Sequence, residues 1–345
     1  MSNEQTLPEV TVRASADPGG TQQYLRKASL IIGEDAGAAI DLSSLRFRFD
    51  IRRGDMQTPN SARIRVYNVA RDTAYRVRDE FTRVVVQAGY EGNFGVIFDG
   101  TLIQARYGRE NATDTYLDIT AADGDKAYNF ALVNTTLAAG STTEDHVNVC
   151  LRSMENYGVG TGYIAPVVGK PLPRGKVMFG MAKDFLRLAA KTTSSVWSIQ
   201  DGKLNMYAET AYVPGAIPKI TPDSGLIGMP EQTRNGVSFR MLLNPSIKIG
   251  QLIELDTSNV QRYEYGLSIP DEVERERIQQ QNGLQAAGFY YVMRVDRAGD
   301  TRGDAWWNEV LCIAADSTAI PSRDLDNGST PGGVGPVPSA VKSWL

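Results

Sequence analysis

The sequence predicts a mainly β protein in which a small α+β insert separates two antiparallel β-barrel domains. Three observations lead to this prediction. Apolar and polar residues alternate over 24–124, residues 125–215 change to helical spacing, and strand-forming segments return over 216–315. Strict alternation is typical of strands with one buried and one exposed face. The 345 residues also exceed what one hydrophobic core usually supports.

The same patterns divide the chain into five segments. The prediction is a flexible N-terminal arm at 1–22, a first β-barrel at 23–130, a small α+β domain at 131–215, a second β-barrel at 216–315 and a flexible C-terminal tail at 316–345. Both end segments hold too little apolar surface for a core of their own. Inside the second barrel, a charged loop at 265–288 is poor in strand formers.

Alternation is clearest in the first predicted barrel. In LRFRFDIR at 45–52 the apolar residues take one face and the charged residues the other, and SARIRVYNV at 61–69 and TYLDITA at 115–121 repeat this pattern. These segments predict antiparallel strands whose second face is solvated or contacts a partner. A short helix is expected at 70–80.

The stretch VVVQAGYEGNFGVIFDGTL at 84–102 is rich in glycine. A phosphate-binding loop would continue into a helix whose free N–H groups face the anion. Here the strand formers Val96, Ile97 and Phe98 follow instead. The sequence therefore predicts a hairpin with strands at 83–90 and 95–107 and a loop at 91–94.

The insert and the second barrel have their own local signals. Apolar spacing predicts helices at 142–157 and 178–192, and GDKAY at 124–128 favours a turn into a helix. SVWSIQDGKLNMYA predicts a hairpin that turns at Asp201 and Gly202. Strands of the second barrel are expected at 237–242, 247–255, 289–295 and 306–314.

The composition of the chain argues against several functional classes of protein. The net charge of −4 argues against a general nucleic-acid binder. Cys150 and Cys312 are too few for a disulfide framework and are expected to be buried small hydrophobes in a reducing compartment. No apolar run approaches the ~20 residues of a membrane helix, and the N-terminus has no signal-peptide pattern.

No catalytic, cofactor-binding or metal-binding residues are predicted. His146 is the single histidine, it has no nucleophile motif around it, and a surface or helix-cap position is expected. The acidic run at 123–125 lacks the remaining ligands of a calcium loop. A glycosidase would need two carboxylates, and nothing in the sequence selects a pair from the candidates Asp99, Asp118, Asp123, Asp125 and Glu309.

Partner contacts are predicted at two places. Arginines alternate outward along the strands, and they form either a solvated face or a protein interface, where arginine is enriched. The members of this group are Arg46, Arg48, Arg52, Arg63, Arg65 and Arg106, with Arg46, Arg48, Arg63 and Arg65 as the candidate contacts. The tail ends in Trp344 and Leu345, which could anchor it on a neighbouring subunit or partner.

Several short motifs carry a resemblance to a known family. They are VYN at 66–68, AGY at 88–90, IFDG at 97–100, ADGD at 122–125 and NPSIKIGQLIELD at 244–256. In order and spacing they resemble the baseplate hub proteins of contractile bacteriophage tails, over about residues 25–315. The insert and the charged loop depart from that pattern. The resemblance implies that each barrel is similar to a tail-tube subunit.

The resemblance also implies a function and a set of partners. Three copies with two barrels each would form a ring that joins the sixfold tail tube to the threefold central spike. The expected partners are further copies in a homotrimer, the spike, the tail-tube or tape-measure protein and other baseplate proteins. DNA would only pass through the channel, with no membrane contact and no cofactor. The protein would lie in the virion baseplate after assembly in the host cytoplasm.

Two other functions stay open at this point. One is a tail-tip enzyme that hydrolyses the cell wall, and the other is a carbohydrate-binding adhesion module. The adhesion hypothesis would use Trp306 or Trp307 to stack on sugars, although one ring of a tryptophan pair in a strand usually lies in the core.

Overall fold

The computed structural model describes residues 5–6, 23–34, 37–55, 59–166, 171–209, 211–233, 236–256 and 287–315. Most of the predicted N-terminal arm, nearly all of the charged loop and the tail from residue 316 lie outside the described residues. The predictions for Trp344 and Leu345 therefore stay untested. Within the described residues the protein is mainly β with few helices, as predicted.

The described residues of the first part of the chain form eight strands and one helix. They are β1 (Gln5–Thr6), β2 (Arg26–Gly33), β3 (Ala38–Asp41), β4 (Phe47–Gly54), β5 (Ser61–Tyr67), α1 (Arg71–Asp79), β6 (Arg83–Tyr90), β7 (Asn93–Arg109) and β8 (Thr115–Ala122). Burial alternates residue by residue along β4, as the sequence predicts. The glycine-rich stretch is a hairpin, but only Glu91 and Gly92 connect its strands. Gly92 takes a positive φ of 93°, which suits glycine in so tight a turn.

The insert combines helices with two small sheets. Its elements are α2 (Asp125–Phe130), β9 (Leu132–Leu137), α3 (Thr143–Glu155), β10 (Gly160–Ile164), β11 (Lys176–Met181), α4 (Ala182–Thr192), β12 (Ser195–Gln200) and β13 (Lys203–Ala208). The helix expected to begin at residue 178 begins at Ala182. The preceding residues instead pair antiparallel with β9, with Met178 buried and Val177 and Phe179 exposed. Pairing with a distant strand outweighed the local helical pattern.

The last part of the chain returns to strands. They are β14 (Lys219–Ile220), β15 (Leu226–Thr233), β16 (Gly236–Leu242), β17 (Leu252–Asp256), β18 (Ala287–Asp300) and β19 (Trp306–Ala314), with a 3-10 turn at Pro222–Ser224. The strand expected at 247–255 begins only at Leu252, after a turn in which Gly250 has a φ of 84°. β18 is twice as long as the predicted segment at 289–295.

One 14-stranded sheet contains most of these strands. Its order is β1-β3-β2-β6-β7-β8-β5-β4-β18-β19-β16-β15, and β17 pairs with both β14 and β18. Along one edge of β18, residues 287–291 pair with β17 and residues 294–300 pair with β4. Among the described strands this sheet does not close on itself. The two predicted barrels are therefore not confirmed, because the edge of β4 that does not pair with β5 pairs with β18 instead of closing a separate barrel.

Three hydrophobic clusters lie along the chain. The first fills the space between β2 to β8 and α1, the second lies in the insert, and the third lies between β14 and β19. The long β18–β19 hairpin contributes side chains to two of these clusters. Val292 and Val310 belong to the third cluster, while Trp306 packs in the first against Phe49. Cys150 and Cys312 are buried in the second and third clusters, as predicted.

Candidate functional site

The outward face of the large sheet is the first candidate surface. It runs without interruption over eight adjacent strands, from β7 through β8, β5, β4, β18, β19 and β16 to β15. Paired residues form polar rows across it. One row contains Arg106, Asp118, Arg65, Arg48 and Asp300, and the next contains Gln104, Thr120, Arg63, Asp50, Ala298 and Trp307. A third contains Arg52, Asp296, Glu309 and Arg240.

Arg46 lies where β4 meets the β18–β19 turn. Its Nε and Nη2 donate to the two carboxylate oxygens of Asp300, at 3.2 and 2.6 Å. The guanidinium also stacks 4.9 Å above the Tyr67 ring. The hydrogen bond to Asp300 raises the pKa of Arg46. Burial raises the pKa of Asp300, but the Arg46 bond and its charge outweigh it and the net shift is downward. This bidentate pair fixes Arg46, so only part of its charge is available to a partner.

Arg65 is held in the same manner in the centre of the face. Its Nε and Nη2 donate to Asp118 at 2.6 and 2.9 Å, and its Nη1 lies 3.3 Å from Glu110. The ring of Tyr116 lies 4.3 Å below it. The Asp118 hydrogen bond raises the pKa of Arg65. Asp118 and Glu110 therefore neutralise the charge of Arg65 and hold its guanidinium in one orientation.

Arg48 and Arg63 are the less neutralised members of the predicted set. Arg48 lies 3.9 Å from Asp300 and donates weakly to the Tyr67 hydroxyl at 3.4 Å. Arg63 is exposed, and the described residues form no ion pair with it. Exposed guanidinium groups of this kind can donate hydrogen bonds to a passing or docking partner. All four predicted arginines thus share one face: two form close bidentate pairs, Arg48 has a longer contact with Asp300, and Arg63 has no ion pair among the described residues.

A shallow depression lies at one end of this face. It measures about 510 Å³ and is lined by Ser44, Leu45, Arg46, Tyr67, Asn68, Glu110, Asp114 and Arg302. The lining is mostly polar and of both charges, which suits a protein surface better than an enclosed small-molecule site.

A buried polar cluster joins the insert to the large sheet, and sequence patterns did not reveal it. Arg53 on β4 donates to Gln200 Oε1 at 3.0 Å and lies 2.9 Å from Asp201. Asp123, at the end of β8, accepts hydrogen bonds from the backbone N–H groups of Asp201 and Gly202. Burial raises the pKa of Asp123 to about 7, although the Arg53 charge acts against the rise. The predicted turn at Asp201 and Gly202 therefore docks the insert on the sheet.

A second buried contact links the first part of the chain, the insert and the last part. The Tyr291 hydroxyl of β18 donates to Asp55 at 2.6 Å and lies 3.1 Å from the Tyr207 hydroxyl of β13. Burial raises the pKa of Asp55 to about 6, against the lowering effect of the Tyr291 bond. Shifted carboxylates can mark active sites, but Asp55 is buried and tied into a structural contact.

His146 is placed differently from the prediction of a surface or capping position. It lies in the first turn of α3 and is buried, while Thr142 and Asp145 form the capping box. Its Nε2 has no hydrogen-bond partner among the described residues. Burial and the nearby Lys176 charge lower its pKa, which favours the neutral imidazole. The geometry shows no nucleophile held by this histidine.

The carboxylates considered for a hydrolase have structural partners. Asp99 pairs with Arg83, Asp118 with Arg65, Asp125 with Asn129, and Glu309 lies 3.8 Å from Arg240. In the part of the chain that the structure describes, no group of three or more His, Cys, Asp or Glu side chains could hold a metal ion. None of the helices described there is long and apolar enough to cross a membrane.

The tryptophan pair divides between core and surface. Trp306 is buried against Phe49, while Trp307 lies on the outward face with the Arg240 guanidinium 5.0 Å from its ring centre. The prediction that one ring enters the core is confirmed. The sugar-stacking hypothesis loses support, since Trp307 is half-buried and Arg240 already lies over one face of its ring.

Two solved structures of tail proteins are similar in fold to this chain. The fold of the chain is similar to that of a prophage MuSo2 43 kDa tail protein from Shewanella oneidensis, with a TM-score of 0.54, 9% identity, and coverage of 86% of this chain and 99% of that one. A tail protein from Neisseria meningitidis MC58 matches with a TM-score of 0.52, 9% identity and the same coverage. No curated protein matches the chain.

A family model gives the more specific result. The model described as baseplate hub gp41 matches residues 61–260, which is more than half of the chain. The match includes β5 to β17, and therefore the arginine-bearing strand β5, the whole insert and the docking turn at Asp201 and Gly202. The chain belongs to the baseplate hub gp41 family of bacteriophage tail proteins.

Proposed function

We propose that this protein is the trimeric hub of a phage tail baseplate and joins the sixfold tail tube to the threefold spike. The observation that carries the proposal is the shared strand β18, which merges two sets of strands into one sheet. Each copy then supplies two similar units, and three copies supply the six positions that a sixfold tube requires. In this proposal the chain keeps the predicted division at 23–130, 131–215 and 216–315.

The eight-strand outward face suits the wall of a channel. It is polar across its width, and its fixed acid–arginine pairs alternate with less tightly paired arginines such as Arg48 and Arg63. A uniformly basic wall would hold DNA by releasing counterions from the phosphates. A wall in which Asp118 and Asp300 neutralise neighbouring arginines would let DNA or a tape-measure protein pass. The candidate contacts Arg46, Arg48, Arg63 and Arg65 would then face the channel.

The two end strands of this eight-strand region, β7 and β15, carry exposed apolar side chains. At one end, residues 103–109 of β7 extend beyond the pairing with β6, and Ile103 and Tyr107 are exposed there. At the other end, Ile227 is exposed on β15, which pairs only with β16 among the described strands. Strands at the end of a sheet can pair with another chain, and a closed ring covers such edges. We therefore place the contacts between copies at these two edges.

Assembly can be tested with charged substitutions at these edges. Ile103→Lys and Ile227→Lys should leave the secondary structure of the isolated chain unchanged but prevent assembly with the tube and spike proteins of the same phage. Leu188→Lys is the matched control, because Leu188 is an exposed apolar residue on α4 of the insert. Native mass spectrometry of the mixture should show three copies for wild type and for the control. Wild type that stays monomeric with both partners present would overturn the proposal.

The family and its structural neighbours are tail proteins, which favours a structural role over catalysis. We propose that the protein is not an enzyme and that it acts in the virion, after assembly in the host cytoplasm. Incubation of the purified chain with peptidoglycan should release no soluble fragments. Release that disappears on substitution of a specific carboxylate would instead support the cell-wall hydrolase.

A further inference from the structure

The most exposed apolar surface of the described chain lies on the insert, outside the channel face. It is formed by β9, β11 and the end of α2, and we call it the ribbon face. Its apolar members are Phe130, Leu132, Val177 and Phe179, with 61, 64, 72 and 78% of their surface exposed. Contiguous exposed apolar patches of this kind mark interaction sites in soluble proteins.

The strand register explains why these side chains lie together. Phe179 faces Asn134, Val177 faces Thr136 and Met181 faces Leu132, so that alternate residues of both strands share the outer side. Leu132 is the diagonal neighbour of Phe179. Phe130 precedes them on α2, where its carbonyl accepts a hydrogen bond from Tyr157 at 3.1 Å. The opposite side of the ribbon carries Val133 and Met178, which pack in the insert core.

No described residue adds a third strand to this ribbon. In the described ranges, β9 and β11 pair only with each other. A four-residue patch is smaller than the ~800 Å² that each partner contributes to a stable protein–protein interface. It therefore fits a short peptide with a few apolar side chains better than a second folded copy.

The chain itself contains such a peptide. Residues 316–345 follow the last described residue, and they end in the apolar residues Ala340, Val341, Trp344 and Leu345. The other long segments outside the described ranges, 7–22 and 257–286, are polar or rich in charge. Of these three segments, only the C-terminal one combines a terminal apolar group with a spacer of Gly and Pro at 331–336.

The point at which the C-terminal segment leaves the structure allows it to reach the ribbon face. Ala314 of β19 pairs with Tyr290, and the adjacent Tyr291 contacts Tyr207 of the insert. The segment therefore starts beside the insert. Thirty residues can extend over at most ~100 Å. A compact chain of 345 residues has a radius of gyration of only ~20 Å, so the segment is long enough to reach the ribbon face. Tethering also raises the local concentration of the terminal residues at the ribbon.

We propose that the ribbon face is the docking site for the C-terminal segment of the same molecule, with Trp344 and Leu345 covering Phe179 and Val177. The docking replaces the contact with a neighbouring subunit that the sequence alone suggested. It does not depend on the hub function, since the contact forms within one chain.

The test is a disulfide between the two elements in the full-length chain. Asn134→Cys combined with Ser343→Cys places one thiol opposite Phe179 and one beside Trp344. Thr161→Cys combined with Ser343→Cys is the matched control, because Thr161 is exposed on β10 of the same insert. The two natural cysteines are buried and should not compete. Oxidised glutathione supplies the oxidant.

The ribbon pair is expected to form a link within one molecule at a rate roughly tenfold or more above the control pair. Trp344→Ala or Phe179→Ser, added to the ribbon pair, should lower the rate to that of the control. Circular dichroism should show that Phe179→Ser folds normally, since Phe179 is exposed. Equal rates for both pairs, a rate unaffected by Trp344→Ala, or a link that forms only between molecules would each overturn the proposal.

Discussion

Individual buried side chains decide how the parts of this chain are held together. Arg53, Asp123 and Asp55 are all buried, and each contacts an element distant in sequence. A buried charge is tolerated only with partners, so each substitution that removes a partner is costly. By contrast, the exposed pair between Arg52 and Asp50 contributes little to stability.

The first prediction concerns pH and Asp55. Burial raises the pKa of this carboxyl from 3.8 to about 6 in the folded state. The folded state therefore binds the proton more tightly than the unfolded state. The resulting stabilisation is fully present below about pH 4 and is lost as the pH rises through about 6. Asp55→Asn removes this dependence, because an amide stays neutral and can still accept the Tyr291 hydrogen bond.

Urea unfolding at several pH values measures the effect. A shift of two pKa units corresponds to about 3 kcal/mol, so between pH 4 and pH 7 the free energy of unfolding of wild type should fall relative to Asp55→Asn by up to that amount. Asp50→Asn is the control, since Asp50 is exposed on β4. A constant difference between wild type and Asp55→Asn across this range would contradict the prediction.

At the scale of elements, the β12–β13 hairpin shows how a local turn serves a distant contact. Asp201 and Gly202 both take positive φ, of 53° and 71°. This geometry is typical of a two-residue hairpin turn. The same conformation directs both backbone N–H groups at Asp123. The turn therefore closes the hairpin and fixes the insert on the large sheet.

The second prediction tests this turn. Gly202→Ala should lower the free energy of unfolding by about 1–2 kcal/mol, because a Cβ is disfavoured in the left-handed region. Steric contact is not the cause, since an added Cβ at Gly202 would lie 3.7 Å from its nearest neighbour. Gly160→Ala is the matched control, with open space and no positive φ. Equal costs for both variants in urea unfolding would refute the role of the left-handed turn.

At the scale of the whole molecule, β18 couples regions that the sequence presents as separate. It pairs with β4 of the first part and with β17 and β19 of the last part. Its hairpin partner β19 supplies Trp306 to the first hydrophobic cluster. Two cores that share a strand and a hairpin are expected to unfold together rather than one after the other.

The third prediction addresses this coupling at Gly299. A Cβ at this position would lie 2.2 Å from the Phe49 ring across the β4–β18 pair. Gly299→Ala should therefore cost about 1–3 kcal/mol through overpacking. Tryptophan fluorescence and circular dichroism should report one coincident transition, shifted equally by the variant. Ala298→Ser, on the outward face of the same strand, is the control.

Two separated transitions, of which Gly299→Ala shifts only one, would show that the cores are independent. A single unshifted transition would show instead that the β4–β18 contact contributes little to the free energy of unfolding.

Local patterns in the sequence were enough to predict the mainly β class, helix α1, the hairpin at Asp201 and Gly202 and the outward side of the arginines. These features follow from periodicity and turn chemistry within a few residues. The partner of each arginine was not predictable in this way. Arg46 pairs with Asp300 across 254 positions, and Arg53 with Gln200 across 147.

Tertiary structure decided the rest. Residues 176–181 became a strand because β9 was available to pair with them, against the helical pattern around them. β4 paired with β18 instead of closing a barrel, and His146 became buried because α3 packs in the insert core. The alternation of side chains determines which face of a strand is buried, but it does not determine which strand lies beside it. That choice depends on how distant segments pack against one another, and no local pattern records it.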